Sequence, residues 1–116
     1  MKNRSAAIDA TASRVPACWQ REAPSHCLRV ELPSGELHLF PYQHLVTASL
    51  ERTEKGSEIL RIAFSSHNLE VEGRGLRDLL LSVQDFTAKW LRAAPERYQS
   101  VDTNCLILAI RIAAVE

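Results

Sequence analysis

At 116 residues the chain has room for one domain and one core. Fourteen basic and fourteen acidic side chains cancel, which removes the electrostatic footprint that nucleic acid or an anionic membrane would need. The longest apolar run, Cys105 to Ile110, is too short to cross a bilayer, and three cysteines at no metal-like spacing suit a reducing, cytoplasmic setting.

Residues 1–24 are rich in Ala, Ser, Thr and Arg, carry Pro16 and Pro24, and show no sustained period, so they read as a mobile N-terminal arm. Trp19 is expected to dock onto the domain's own surface. The domain proper is expected over 25–116.

From Cys27 to Gly73 the sequence alternates with period two, which predicts a five-stranded antiparallel meander over about 27–73. Closing the first hairpin on Ser34-Gly35 sets Leu32 against Leu37 and Val30 against Leu39. A turn at Pro41 to His44 then sets Leu39 against Val46 and Leu37 against Ala48. Glu54-Lys55-Gly56 has the length and the glycine of a three-residue loop with a left-handed third residue. It sets Leu50 against Leu60, Ala48 against Ile62 and Val46 against Phe64. A turn over Ser65 to Asn68 aligns Phe64 with Leu69 and Ile62 with Val71. All four registers keep one face apolar, and a slip of one residue at any of them would break the pattern.

After Gly73-Arg74-Gly75 the period changes. Leu76, Leu79, Leu80, Val83, Phe86, Trp90 and Leu91 form one apolar stripe, which predicts an amphipathic helix over 76–93. A short helical turn follows Pro95. The segment 104–114 reads as a strand apolar on both faces, with Ile107 on one and Leu108 on the other. The fold class is therefore α+β.

No catalytic or metal-binding signature emerges. His26, Cys27, Cys18, His38 and His44 are close in sequence but lack paired ligand spacing. Ser65-Ser66-His67 reads as a polar turn rather than a nucleophile with its base. The predicted registers set Glu72 against Arg61, Glu31 against His38 and Glu70 against Ala63, the cross-strand partners of a solvated face. Gly73-Arg74-Gly75, placed between a strand and a helix, is a candidate anion site through free N–H groups and one guanidinium.

Phe40, Leu45 and Ala63 are expected to form an apolar patch on the outer sheet face, with Leu81 on the polar side of the helix. Together with Ile107 these residues mark a candidate interface. The sequence thus points to a non-catalytic, self-associating interaction or scaffolding module, needing no cofactor and most simply a homodimer, with a further protein partner as the other binding class. The alternative is a small ligand- or anion-binding regulatory domain using the Gly73–Gly75 turn.

Overall fold

The computed structural model describes residues 15–101 and 103–115. Among these residues, eight strands form two four-stranded sheets with one short helix: β1 (Trp19–Arg21), β2 (Cys27–Glu31), β3 (Leu37–Pro41), β4 (Leu45–Arg52), β5 (Glu58–Phe64), β6 (His67–Arg74), α1 (Arg77–Gln84), β7 (Ala88–Arg92) and β8 (Leu106–Ala114). The first sheet runs β1-β7-β2-β3 and the second β4-β5-β6-β8. Every pair is antiparallel except β2 with β7. The α+β class holds, but the single meander does not.

The chain changes sheet at Pro41. Proline supplies no N–H for a ladder, and Tyr42–His44 make one turn of 3-10 helix before β4 starts in the other sheet. Leu39 and Leu37 therefore never meet Val46 and Ala48. The Tyr42 ring is buried, and its hydroxyl donates to the Ala88 carbonyl at 2.5 Å. Burial holds this phenol well above its ordinary pKa.

The first hairpin is offset by one residue from the predicted register. Gly35 lies at φ +95° and closes a three-residue loop: Gly35 N–H donates to the Leu32 carbonyl, and Leu32 N–H to that of Glu36, both at 2.9 Å. The extra loop residue pairs Val30 with His38, Glu31 with Leu37 and Leu28 with Phe40. The faces of β3 are thereby exchanged. Phe40 is 4% exposed and stacks on Phe64 of the other sheet, at 5.0 Å between centroids, whereas Leu37 and Leu39 are each 64% exposed.

The β4–β5 hairpin follows its predicted register at Leu50–Leu60 and Ala48–Ile62, with Gly56 at φ +90°. A bulge then inserts Val46, so Phe64 faces Leu45 instead. The β5–β6 turn is tighter than expected. Only Ser65 and Ser66 separate the strands, and the register moves by two residues to Ile62–Leu69 and Leu60–Val71. A shift of two preserves the faces but changes the charge partners: Glu70 now opposes Arg61, and Glu72 opposes Ile59.

The predicted long helix stops at Gln84. Phe86 adopts φ +62°, its N–H bonds the Val83 carbonyl at 3.1 Å, and Thr87 N–H reaches back to Ser82 at 2.8 Å. This is a Schellman termination with phenylalanine in the position glycine usually takes. Residues 88–92 then run as β7 between β1 and β2. Part of the expected arm is also built in. Trp19–Arg21 pair with β7, Cys18 is buried, and Arg21 Nε donates to the buried Ser82 hydroxyl at 2.8 Å. Residues 1–14 of that arm lie outside the described residues.

The core lies between the sheets and under the helix. Leu28, Val30, Phe40 and Leu91 come from the first sheet; Leu60, Ile62, Phe64, Leu69 and Val71 come from the second; Leu79 and Val83 come from α1. Where β6 approaches β8, a Cβ on Gly73 would collide with the Leu106 carbonyl, which explains the glycine without any ligand.

Candidate functional site

An open sheet must end in edge strands, and an edge invites pairing unless it is short, bulged, charged or covered. Among the described residues the two sheets have four edge strands. β1 has three residues. β3 has five and ends at Pro41, which has no N–H to offer. β4 carries the Val46 bulge and the charged Glu51 and Arg52. The nine residues of β8, Leu-Ile-Leu-Ala-Ile-Arg-Ile-Ala-Ala, hold a single charge and no proline.

The start of β8 is covered. The Ile107 carbonyl accepts from Ala94 N–H at 2.8 Å, Ile107 N–H donates to Cys18 Sγ at 3.3 Å, and the Leu108 carbonyl accepts from the Gln99 side chain at 3.2 Å. Beyond Leu108 the phase of the ladder decides what faces outward. Val115 N–H donates to the Ser66 carbonyl at 2.9 Å, and residues that exchange bonds alternate with residues that do not. Ala109, Arg111 and Ala113 therefore aim their backbone groups at β6, opposite Glu72, Glu70 and Asn68. Ile110, Ile112 and Ala114 aim theirs away from the sheet. Ile110 and Ile112 are half-buried on the inner face, so the edge is apolar on its core side.

The outer face of the same sheet carries a charge ladder. Arg111 Nε donates to Glu70 at 3.0 Å and its terminal nitrogen to Glu72 at 3.4 Å; Arg61 contacts Glu70 and, at 3.4 Å, Glu51. Bonds from Arg111 and then Arg61 hold the Glu70 carboxyl below its ordinary pKa, and the Glu70 carboxylate in turn raises that of Arg61. A shallow depression of about 590 Å³ lies over this ladder, bordered by Thr47, Ser49, Ala63, Asn68 and Ala113. Each guanidinium in it already meets two carboxylates, so the arrangement is that of cross-strand ion pairs in water.

The residues singled out in the sequence are scattered. Phe40 and Ile107 are interior, at 4% and 0% exposure, so neither lies on an interface of the free chain. Leu45 is half-buried, and with Ala48, Leu80, Leu81, Val83 and Gln84 it borders a cavity of about 300 Å³ beside α1. Leu81 is partly exposed there. At the strand-to-helix turn, Gly73 and Arg74 finish β6 and Gly75 lies at φ +66°. The Arg74 guanidinium donates to the carbonyls of Gln99 and Val101, at 3.3 and 3.1 Å, and Leu76 N–H at the head of α1 meets the Glu58 carboxylate at 2.8 Å. An anion arriving there would have to displace a carboxylate already in place.

His67 Nδ1 lies 2.8 Å from the Ser66 hydroxyl in the exposed β5–β6 turn, with its ring edge-on to Phe40. Among the described residues no three His, Cys, Asp or Glu side chains converge as metal ligands. No helix among them is long and apolar enough to cross a membrane.

No family model matches this chain. Searches of curated proteins and of solved structures likewise return no match. Any functional reading therefore rests on the geometry. The open half of β8 was visible in the sequence only as an apolar terminal strand. Its exposed backbone could not be seen there, because the phase of the ladder and the cover over Leu108 depend on distant residues.

Proposed function

We propose that the chain is a non-catalytic interaction module that self-associates by pairing β8 with β8 of a second copy. The outward-facing backbone of Ile110, Ile112 and Ala114, beyond the bulge at Leu108 on the longest edge strand among the described residues, carries this reading.

A two-fold axis requires antiparallel pairing, and only a few registers fit. Centring on Arg111 sets two guanidinium groups opposite each other, which is unfavourable. Centring on Ile110 brings the partner's Ile112 against Leu108, whose carbonyl Gln99 already occupies. Centring on Ile112 satisfies both constraints. Ile110 then exchanges bonds with Ala114 of the second copy, Ile112 with its own counterpart, and Arg111 lies over a small alanine. Two four-stranded sheets join into one.

So short a contact falls below the usual area of a permanent interface, and roughly micromolar association is expected. Sedimentation of the full chain across that range should rise from 13.0 kDa toward twice that mass. Ile112→Lys, which brings two charges together on the axis, should hold it at the monomer, while Val46→Lys on the opposite edge should not. A wild-type chain that stays monomeric, or an Ile112→Lys chain that still dimerises, would count against the reading.

A further inference from the structure

We propose that Cys18 and Cys105 are a thiol pair which a glutathione-type disulfide converts into an intramolecular disulfide, joining the chain just before β1 to the chain just before β8. Both side chains line one cavity of about 240 Å³, together with Val15, Pro16 and Trp19. The Cys18 sulfur accepts the Ile107 N–H at 3.3 Å, two residues along from Cys105.

Each sulfur sits on a fixed backbone. The Cys18 carbonyl accepts from Arg92 N–H at 2.8 Å, and Arg92 Nε bonds the preceding carbonyl of Ala17 at 3.0 Å. On the other side, Gly75 packs directly on the backbone of Asn104 and Cys105. Burial raises both thiol pKa values, and the Cys18 charge raises that of Cys105 further, as expected for sulfurs sharing one poorly solvated space. Cys27 is separate. It borders another depression with His26, Tyr42 and Phe86.

The chemistry balances with glutathione disulfide as oxidant. Cys105 is half-buried and the more accessible, so its thiolate attacks one glutathione sulfur and expels a glutathione thiolate. The Cys18 thiolate then attacks the Cys105 sulfur and expels the second. The two cysteine protons end on two molecules of glutathione. The new bond replaces the contact from Ile107 N–H to sulfur, in the cavity that Trp19 also lines.

The test is to incubate the full chain with glutathione disulfide in mildly alkaline buffer, alkylate the remaining thiols and map the peptides. Of three cysteines, one should remain alkylatable, and it should be Cys27, with a Cys18–Cys105 linked peptide present. In a Trp90→Phe chain, which leaves Trp19 as the sole tryptophan, fluorescence should fall on oxidation and recover with dithiothreitol. Three alkylatable thiols after oxidation, a glutathione retained on Cys105 without linkage, or a linkage through Cys27 would each overturn the proposal.

Discussion

Phe86 offers a prediction whose sign runs against ordinary expectation. It sits at φ +62°, where a side chain costs about 1–2 kcal/mol relative to glycine, yet its ring packs on Tyr42 at 5.0 Å between centroids. Phe86 as a residue is 42% exposed, so losing its ring should cost about 2 kcal/mol from area and aromatic contact together. Phe86→Ala loses the ring and keeps the strain. Phe86→Gly loses the same ring and relieves the strain, but gains roughly 0.4–1 kcal/mol of unfolded-chain entropy. The difference leaves the glycine variant about 0.5–1 kcal/mol more stable than the alanine variant, the reverse of their order inside a helix. Urea unfolding, compared at equal slope, reads this as a higher midpoint for Phe86→Gly. An alanine variant as stable as the glycine variant would refute the strained termination.

Two glycines should respond very differently to the same substitution. Gly56→Ala meets no neighbour and should cost only about 1 kcal/mol, from φ +90°, whereas Gly73→Ala drives a methyl into the Leu106 carbonyl and should cost about 3 kcal/mol or more, measured by the same unfolding series. Glu70 should steepen the acid limb of stability. Its pKa is lower folded than unfolded, so its contribution is present above the ordinary carboxylate range and is lost as pH falls through the folded value. Glu70→Gln should flatten that limb, and an unchanged slope would show the ion-pair ladder to be energetically idle.

What the sequence made legible was local. The Gly56 loop fixed the centre of the β4–β5 register because loop length and apolar matching agreed over a few residues. The first half of the helix was equally plain. The failures have particular causes. At Pro33-Ser34-Gly35, two-residue and three-residue loops both suit the composition, and the choice exchanges Phe40 with Leu37 and Leu39 between core and solvent. At Phe86, termination without glycine left the apolar stripe unbroken, so Trp90 and Leu91 read as helix; pairing with β1 and β2, both distant in sequence, makes them a strand. Trp19 and Cys18 looked like part of an arm because their partners, Leu91 and Ile107, also lie far along the chain. For the candidate site, the apolar terminal strand was readable and its open half was not. Ile107 lies under Cys18 and Ala94, and exposure begins only after Leu108.

The most direct test of the open edge is a pair of prolines at adjacent alanines, followed by unfolding and by sedimentation. Ala113 and Ala114 are both exposed, so little packing distinguishes them. Ala113 aims its N–H at β6 opposite Asn68, and Ala114 aims its N–H outward. Ala113→Pro should therefore break a ladder bond within the chain and lower its stability, while Ala114→Pro should leave the monomer's stability nearly unchanged. Ala114→Pro should nevertheless abolish the concentration-dependent rise in mass, because each copy loses the donor it offers to Ile110 of the other. An Ala114→Pro chain that dimerises as tightly as the wild type would contradict pairing through β8.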